Sequence, residues 1–439
     1  MSFEIAQGFL RAIYAAAPIL YAAVLFDRAY RLKQKKALYE LLGTAIASLL
    51  IGIAMASIFS LAVGARIRVD QALLASLFFF GVMVILKGLD ALAKRAGALI
   101  FKTKPLTQIK TEVDPARSNR IAALLDPPPI PRWRRYGAGT TRALILAAVG
   151  LPYIMAAAMT YRPKVRIAGD PFQQMGWRFD PVNFSATDGT KISAWWIPAP
   201  PPPTGASPEQ SRDWGRRTIL LCHGLGANKL NQLHMGRAFH ARGWNLLAID
   251  FRAHGESAGQ FSTFGDHERR DILGAIRWLK YNHTSNTHQI VGVGASLGAA
   301  ALIAAAGETN SPEARAITGL VIYATYADLG QLATEITRDR LPWGLGFLAK
   351  NLALPLASLH AGSNLTTFSP QRALANIPSL PIFLIHGARD EIIPPHHAQS
   401  LFNTAQGPKR LILLDTDHNG IIEDETSARQ AATFFDPPH

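Results

Sequence analysis

The chain has 439 residues, 49% of them hydrophobic and 17% charged. This length suits two or three domains, and so high an apolar fraction with so little charge excludes disorder as the main state. A single cysteine, Cys222, excludes a disulfide framework and a thiolate metal cage. The net charge of +14 would suggest nucleic acid if it were spread evenly, but residues 1–166 hold 23 Lys and Arg against 8 Asp and Glu, and the rest of the chain holds 22 against 23. The basic excess belongs to the N-terminal third, so nucleic acid is not an expected partner.

That third reads as an all-α transmembrane domain, residues 1–165. Residues 41–64 carry no charge and are long enough to cross a hydrocarbon core of about 30 Å. Uncharged runs recur at 71–86 and 143–161, and a shorter one at 12–26 follows Arg11, which gives three or four spans. A cleaved signal peptide is not expected, because further spans follow and Glu4 spoils a basic leader. Loops 27–40 and 94–142 carry five and eleven basic residues, and the positive-inside rule puts both in the cytoplasm of what reads as a bacterial inner membrane. The larger domain, 166–439, then lies on the periplasmic side. Were 143–161 to lie on the membrane instead of crossing it, that domain would be cytoplasmic.

From residue 180 the pattern becomes regular. Residues 182–198 alternate in hydropathy on both sides of Asp188-Gly189, which suggests a tight hairpin. Short apolar runs follow at 218–224, 245–251, 289–295, 319–325, 381–387 and 410–415, with helix-like stretches such as 267–282 and 297–307 between them. Buried strands alternating with helices predict an α/β fold with a mostly parallel sheet covered on both faces. Residues 327–372 interrupt the rhythm and read as a helical lid, its apolar part at 341–359. The proline run around 198–203 reads as a surface loop, and that at 127–131 as an extended spacer.

In such sheets the chemistry sits at the carboxyl ends of the strands. There the chain carries Gly294-Ala295-Ser296-Leu297-Gly298, directly after a strand and opening a helix, the context a nucleophile elbow requires. A serine hydroxyl needs a base and an orienting acid. Asp390 follows the strand 381–387, and His418 follows 410–415, giving the order Ser, Asp, His. Glu391 is the alternative acid, and Asp415 and Asp417 read as loop carboxylates. The oxyanion donors expected are the amides of Leu297 and of Leu225, the latter in the loop His223-Gly224-Leu225-Gly226. His223 and Cys222 read as structural. No HExxH, CxxC or EF-hand pattern is present, and His396-His397 reads as a helix start, so neither metal nor cofactor is expected.

Together, His223-Gly224-Leu225-Gly226, Asp250 to Ser257, Gly294 to Gly298, Gly387 to Asp390 and Asp417 to Gly420 resemble the α/β-hydrolase superfamily. The nearest likeness is to membrane-tethered serine hydrolases of the serine aminopeptidase-like branch, over roughly residues 175–435. The resemblance implies an eight-stranded core, hydrolysis through an acyl-enzyme, and structural roles for Asp250 and Arg252. The multi-span N-terminus departs from the single anchor commoner in that branch. The expected activity is hydrolysis of a carboxylic ester or thioester, with a lipid or acylated substrate in view. The alternatives are a peptidase or amidase, and a catalytically silent binding module on a membrane sensor or scaffold.

Overall fold

The computed structural model describes residue 152 and residues 155–436, apart from 158, 162–163, 165–166, 206, 208–212 and 341–348. The apolar runs 12–26, 41–64 and 71–86, the two basic loops and most of 143–161 lie outside the described residues. Among the described residues, no helix is long and apolar enough to cross a membrane.

Among the described residues, eight strands form one sheet: β1 (Asp180–Ser185), β2 (Lys191–Ile197), β3 (Arg217–Cys222), β4 (Trp244–Ile249), β5 (Gln289–Ala295), β6 (Ile317–Tyr323), β7 (Ile382–Gly387) and β8 (Lys409–Leu414). Their order is β1-β2-β4-β3-β5-β6-β7-β8. β1 and β2 are antiparallel to their neighbours, and every other pairing is parallel. The helices are α1 (Pro171–Met175), α2 (Leu233–His240), α3 (Glu268–Asn282), α4 (Leu297–Ala306), α5 (Leu329–Arg340), α6 (Leu354–Ala361), α7 (Pro370–Ala375), α8 (His396–Thr404) and α9 (Glu425–Phe434).

The strands are apolar at nearly every position because both faces are covered, and their alternation sorts the side chains between two cores. Leu220, Cys222, Leu247 and Ile249 face one core, closed by side chains of α3, α4, α7 and α8. Ile219, Leu221, Leu246 and Ala248 face the other, closed by α2 and α9. The opening hairpin is looser than a two-residue turn. The last paired residues are Ser185 and Lys191, and the Asp188 carboxylate accepts from the Thr190 amide at 3.2 Å within the intervening loop. Between β6 and α7, where a lid is expected from the sequence, the described residues hold α5, a π-helical stretch Ala349–Ala353 and α6.

Candidate active site

Ser296 sits between the last residue of β5 and the first of α4, with φ 53° and ψ −115°. That region is closed to most residues with a side chain and costs about 1–3 kcal/mol. Neighbouring strands hold the turn. The Ser296 amide donates to Tyr323 O at 2.8 Å, and its carbonyl accepts from Ala300 N at 3.1 Å and from Thr325 Oγ1 at 2.8 Å. The flanking glycines are there because backbone passes where a Cβ would be. A Cβ on Gly298 would lie 2.3 Å from Cys222 O and 2.5 Å from His223 O, and one on Gly294 would lie 2.8 Å from the Gly298 carbonyl carbon. Gly298→Ala is therefore expected to cost about 3 kcal/mol, because two fixed carbonyls cannot rotate away. A urea midpoint measured beside that of the unmodified chain checks this.

The loop after β3 runs along the serine. A Cβ on Gly224 would meet Ser296 Cβ at 3.6 Å. Within that loop Gly226 N donates to His254 Nε2 at 3.2 Å and Ala227 N to Gly224 O at 3.2 Å. Among the described residues, no acceptor takes the amide of Leu225 or of Leu297. Leu297 directly follows Ser296, and Leu225 follows Gly224, whose position borders the serine. The Leu297 amide stands at the start of α4, where the helix dipole adds to its pull on negative charge.

Buried polar groups fix this loop against the loop after β4. His223 is 1% exposed; its Nε2 accepts from Phe251 N at 3.0 Å, which places the ring proton on Nδ1, 2.7 Å from Gly224 O. His254 links Gly226 N to Arg252 O in the same way, with Nδ1 2.9 Å from that carbonyl. The Lys229 side chain is wholly buried. Its ammonium donates to Ser193 Oγ at 2.7 Å and Glu256 Oε2 at 2.6 Å, and lies 3.0 Å from Asp250 Oδ2. Asp250 Oδ1 accepts the Lys229 amide at 2.7 Å, and Arg252 forks onto Asp271 and Asp188. Asp250 and Arg252 therefore brace the loop under the site.

Burial holds the His223 imidazole well below its ordinary range, helped by the nearby His254. A folded-state value below the unfolded one means that the neutral ring favours folding. The stability it contributes is complete above the unfolded value of about 6.5 and is lost as pH falls below it, at about 1.4 kcal/mol per unit. His223→Asn should make the fall in unfolding free energy between pH 6.5 and 5 shallower by that amount per unit, read from urea titrations at both pH values.

Asp390 and His418 come together from the ends of β7 and β8. His418 Nδ1 lies 2.6 Å from Asp390 Oδ2, with the carboxylate fully buried and the imidazole 13% exposed. Asp390 Oδ1 accepts the amides of Ile392 and Ile393, both at 2.9 Å. Burial by itself would raise the Asp390 carboxyl. Hydrogen bonds from His386, His418 and the Ile393 amide outweigh it and hold the group well below the usual carboxylate range. Gly387 lets the two strand ends meet, since a Cβ there would lie 2.6 Å from Thr416 O and 2.7 Å from Asp417 O. Glu391 is exposed, Asp415 pairs with Arg389, and Asp417 caps the amides of Asn419 and Gly420.

Ser296, half-buried, stands at the end of β5, and one strand, β6, separates it from the end of β7. Among the described residues, no hydrogen bond joins its hydroxyl to His418, a contact that in many enzymes tightens only with substrate bound. Sequence reasoning missed His386, 1% exposed, whose Nε2 lies 2.8 Å from Ile393 O and 3.4 Å from Asp390 Oδ2. It sits inside an apolar strand, where nothing in the pattern sets it apart from a core residue.

One cluster among the described residues has metal-ligand spacing: Glu335 with His396 and His397. His396 does open α8, and both Nε2 atoms lie 3.1 Å from the Glu335 carboxylate. The Ala327 amide donates to His397 Nδ1 at 3.3 Å. That puts the His397 proton on Nε2, where it donates to Glu335 and leaves no lone pair for a metal. The trio acts as a hydrogen-bonded clasp between α5 and α8.

An elbow serine after β5, the Leu297 amide next to it and an Asp–His pair at the ends of β7 and β8 define the class of protein. Residues 219–432 match a model of the alpha/beta hydrolase family. The chain is 28% identical over 266 residues to the uncharacterized protein YfhR of Escherichia coli O157:H7, covering 60% of this chain and 80% of that one. It is 30% identical over 211 residues to the uncharacterized protein YqkD of Bacillus subtilis strain 168, covering 46% and 65%. Esterase Pf2001 of Pyrococcus furiosus aligns at 24% identity and a TM-score of 0.47, over 62% of this chain and 97% of that one.

Proposed function

We propose that the protein is a membrane-anchored serine hydrolase that cleaves a carboxylic ester or thioester through an acyl-enzyme. The observation that carries this reading is the 2.6 Å bond between His418 Nδ1 and a buried Asp390, on strand ends of the same sheet that carries a strained Ser296 at the end of β5. Ser296 Oγ attacks the acyl carbonyl while His418 Nε2 takes its proton, and Asp390 holds the tautomer that leaves Nε2 free to do so. The amides of Leu225 and Leu297 receive the developing oxyanion. His418 then gives its proton to the leaving alcohol or thiol, and a water activated by the same ring releases the acid.

The bilayer part of this reading rests on the uncharged runs of the N-terminal third, and the periplasmic placement on the basic residues of loops 27–40 and 94–142. An apolar lid and a bilayer anchor support a lipid ester or acylated substrate. Rates on p-nitrophenyl esters of increasing acyl length, with peptide amides alongside, test the class. Cleavage of esters well above amides is expected. Preference for the amides would make the enzyme a peptidase or amidase, and no turnover of either would leave a binding module.

A further inference from the structure

Residues 155–161 end the apolar run 143–161, and those described, 155–157 and 159–161, are folded onto the hydrolase domain. Met155–Ala157, Met159 and Thr160 are helical. Ala156, 2% exposed, belongs to a third apolar cluster, separate from the two sheet cores, with Ala300 and Ala304 of α4, Leu329 of α5, Leu354 of α6 and Ile393. Thr160 is fully buried; its hydroxyl donates to Ala156 O at 2.9 Å, and its carbonyl accepts from Ser262 N at 2.8 Å. Tyr161 bridges to Phe261 as an isolated antiparallel pair, their rings edge-on at 6.2 Å. Lys164 Nζ donates to Ser257 O.

This cluster stands directly behind the candidate chemistry. Ala300 is one helical turn beyond Ser296, and the Ile393 amide is bonded to Asp390. Leu329, Leu332, Leu354, Ala357, Leu365 and Phe368 come from the expected lid, 327–372, so those residues and Ala156 support one another. Two large apolar side chains are left open nearby in sequence: Leu352 of the lid, 41% exposed, and Ile392 beside Asp390, 44% exposed.

We propose that residues 155–157 and 159–161 are a specificity-determining arm of the active site. They complete the lid wall that grips an apolar acyl chain. The proposal rests on the ester-hydrolase reading above. An arm out of place leaves the lid short of a packing partner, so esters held by the lid suffer and esters too small to reach it do not.

The test uses the full chain in detergent and compares kcat/KM on p-nitrophenyl octanoate with that on p-nitrophenyl acetate. Ala156→Asp, a charge forced into the apolar wall, should lower the octanoate-to-acetate ratio by about tenfold or more, mainly through the octanoate KM. Tyr161→Ala should lower it by about threefold, and Ala156→Ser should restore it to within about twofold of the unmodified value. If Ala156→Asp does not fold, the ratio in Tyr161→Ala decides. A ratio that holds while both rates fall together overturns the arm and leaves it a structural brace, with the hydrolase reading intact. An unmodified chain that cleaves neither ester overturns the hydrolase reading and the arm with it.

Discussion

Ser296→Ala is expected to lower kcat on any ester substrate by about 10⁴-fold or more, with the fold unchanged. In the proposed arrangement the hydroxyl is the nucleophile. Cys222 is no substitute, since burial, with the charge of Asp271 nearby, pushes its thiol well above its ordinary range. A companion variant separates chemistry from strain. At φ 53° alanine is as strained as serine, whereas glycine adopts that angle freely. Ser296→Gly should therefore be as inactive as Ser296→Ala but more stable than the unmodified chain by about 1 kcal/mol. Steady-state rates together with urea unfolding of the three proteins check both halves. Residual activity within tenfold of the unmodified chain would place the nucleophile elsewhere.

Asp390→Asn should cost about 10⁴ in kcat while leaving the geometry in place. The direction follows from the donors around the carboxylate. Oδ1 receives the amides of Ile392 and Ile393, so the oxygen of an asparagine amide must stay on that side. Its NH₂ group then faces His418 Nδ1 and drives the ring proton to Nε2. A ring protonated at Nε2 cannot accept the Ser296 proton, although every heavy atom stays where it was. The loss should fall on kcat more than on KM, and Glu391→Gln, at an exposed neighbour, should change little. If Glu391→Gln were the crippling variant, the acid would be misassigned.

The sheet was legible because its strands are buried on both faces: a run such as 289–295 has no polar position to confuse it with a surface helix. The elbow was legible because the chemistry needs small residues on both sides of one serine, and the Gly298 approach to Cys222 O shows why. Asp390 and His418 could be placed from strand ends and chain order alone. What the sequence did not show were contacts made by register. His386 becomes a partner of Asp390 only because β7 is six residues long and turns back at Gly387. Nothing in the sequence pattern marks Lys229, yet Asp250 and Glu256 are brought to it from the loop after β4, six residues apart in sequence. The hairpin at Asp188-Gly189 came out longer than its turn pair suggests, because Asp188 spends its carboxylate on Thr190 and Arg252 instead of closing a two-residue turn. Residues 155–157 and 159–161 illustrate a further limit. Lipid and protein interior are equally apolar, so hydropathy alone does not tell the end of a span from a segment packed beneath a lid.

The proposed chemistry depends most on a single reactive hydroxyl at the start of α4, and covalent labelling reads it directly. The purified full chain treated with a fluorophosphonate, then digested and analysed by mass spectrometry, should carry one adduct, on the peptide containing Ser296. Labelling should vanish in Ser296→Ala and fall steeply in Asp390→Asn. An unlabelled Ser296 in a folded chain, or an adduct that persists in Ser296→Ala, would contradict the assignment of the active site.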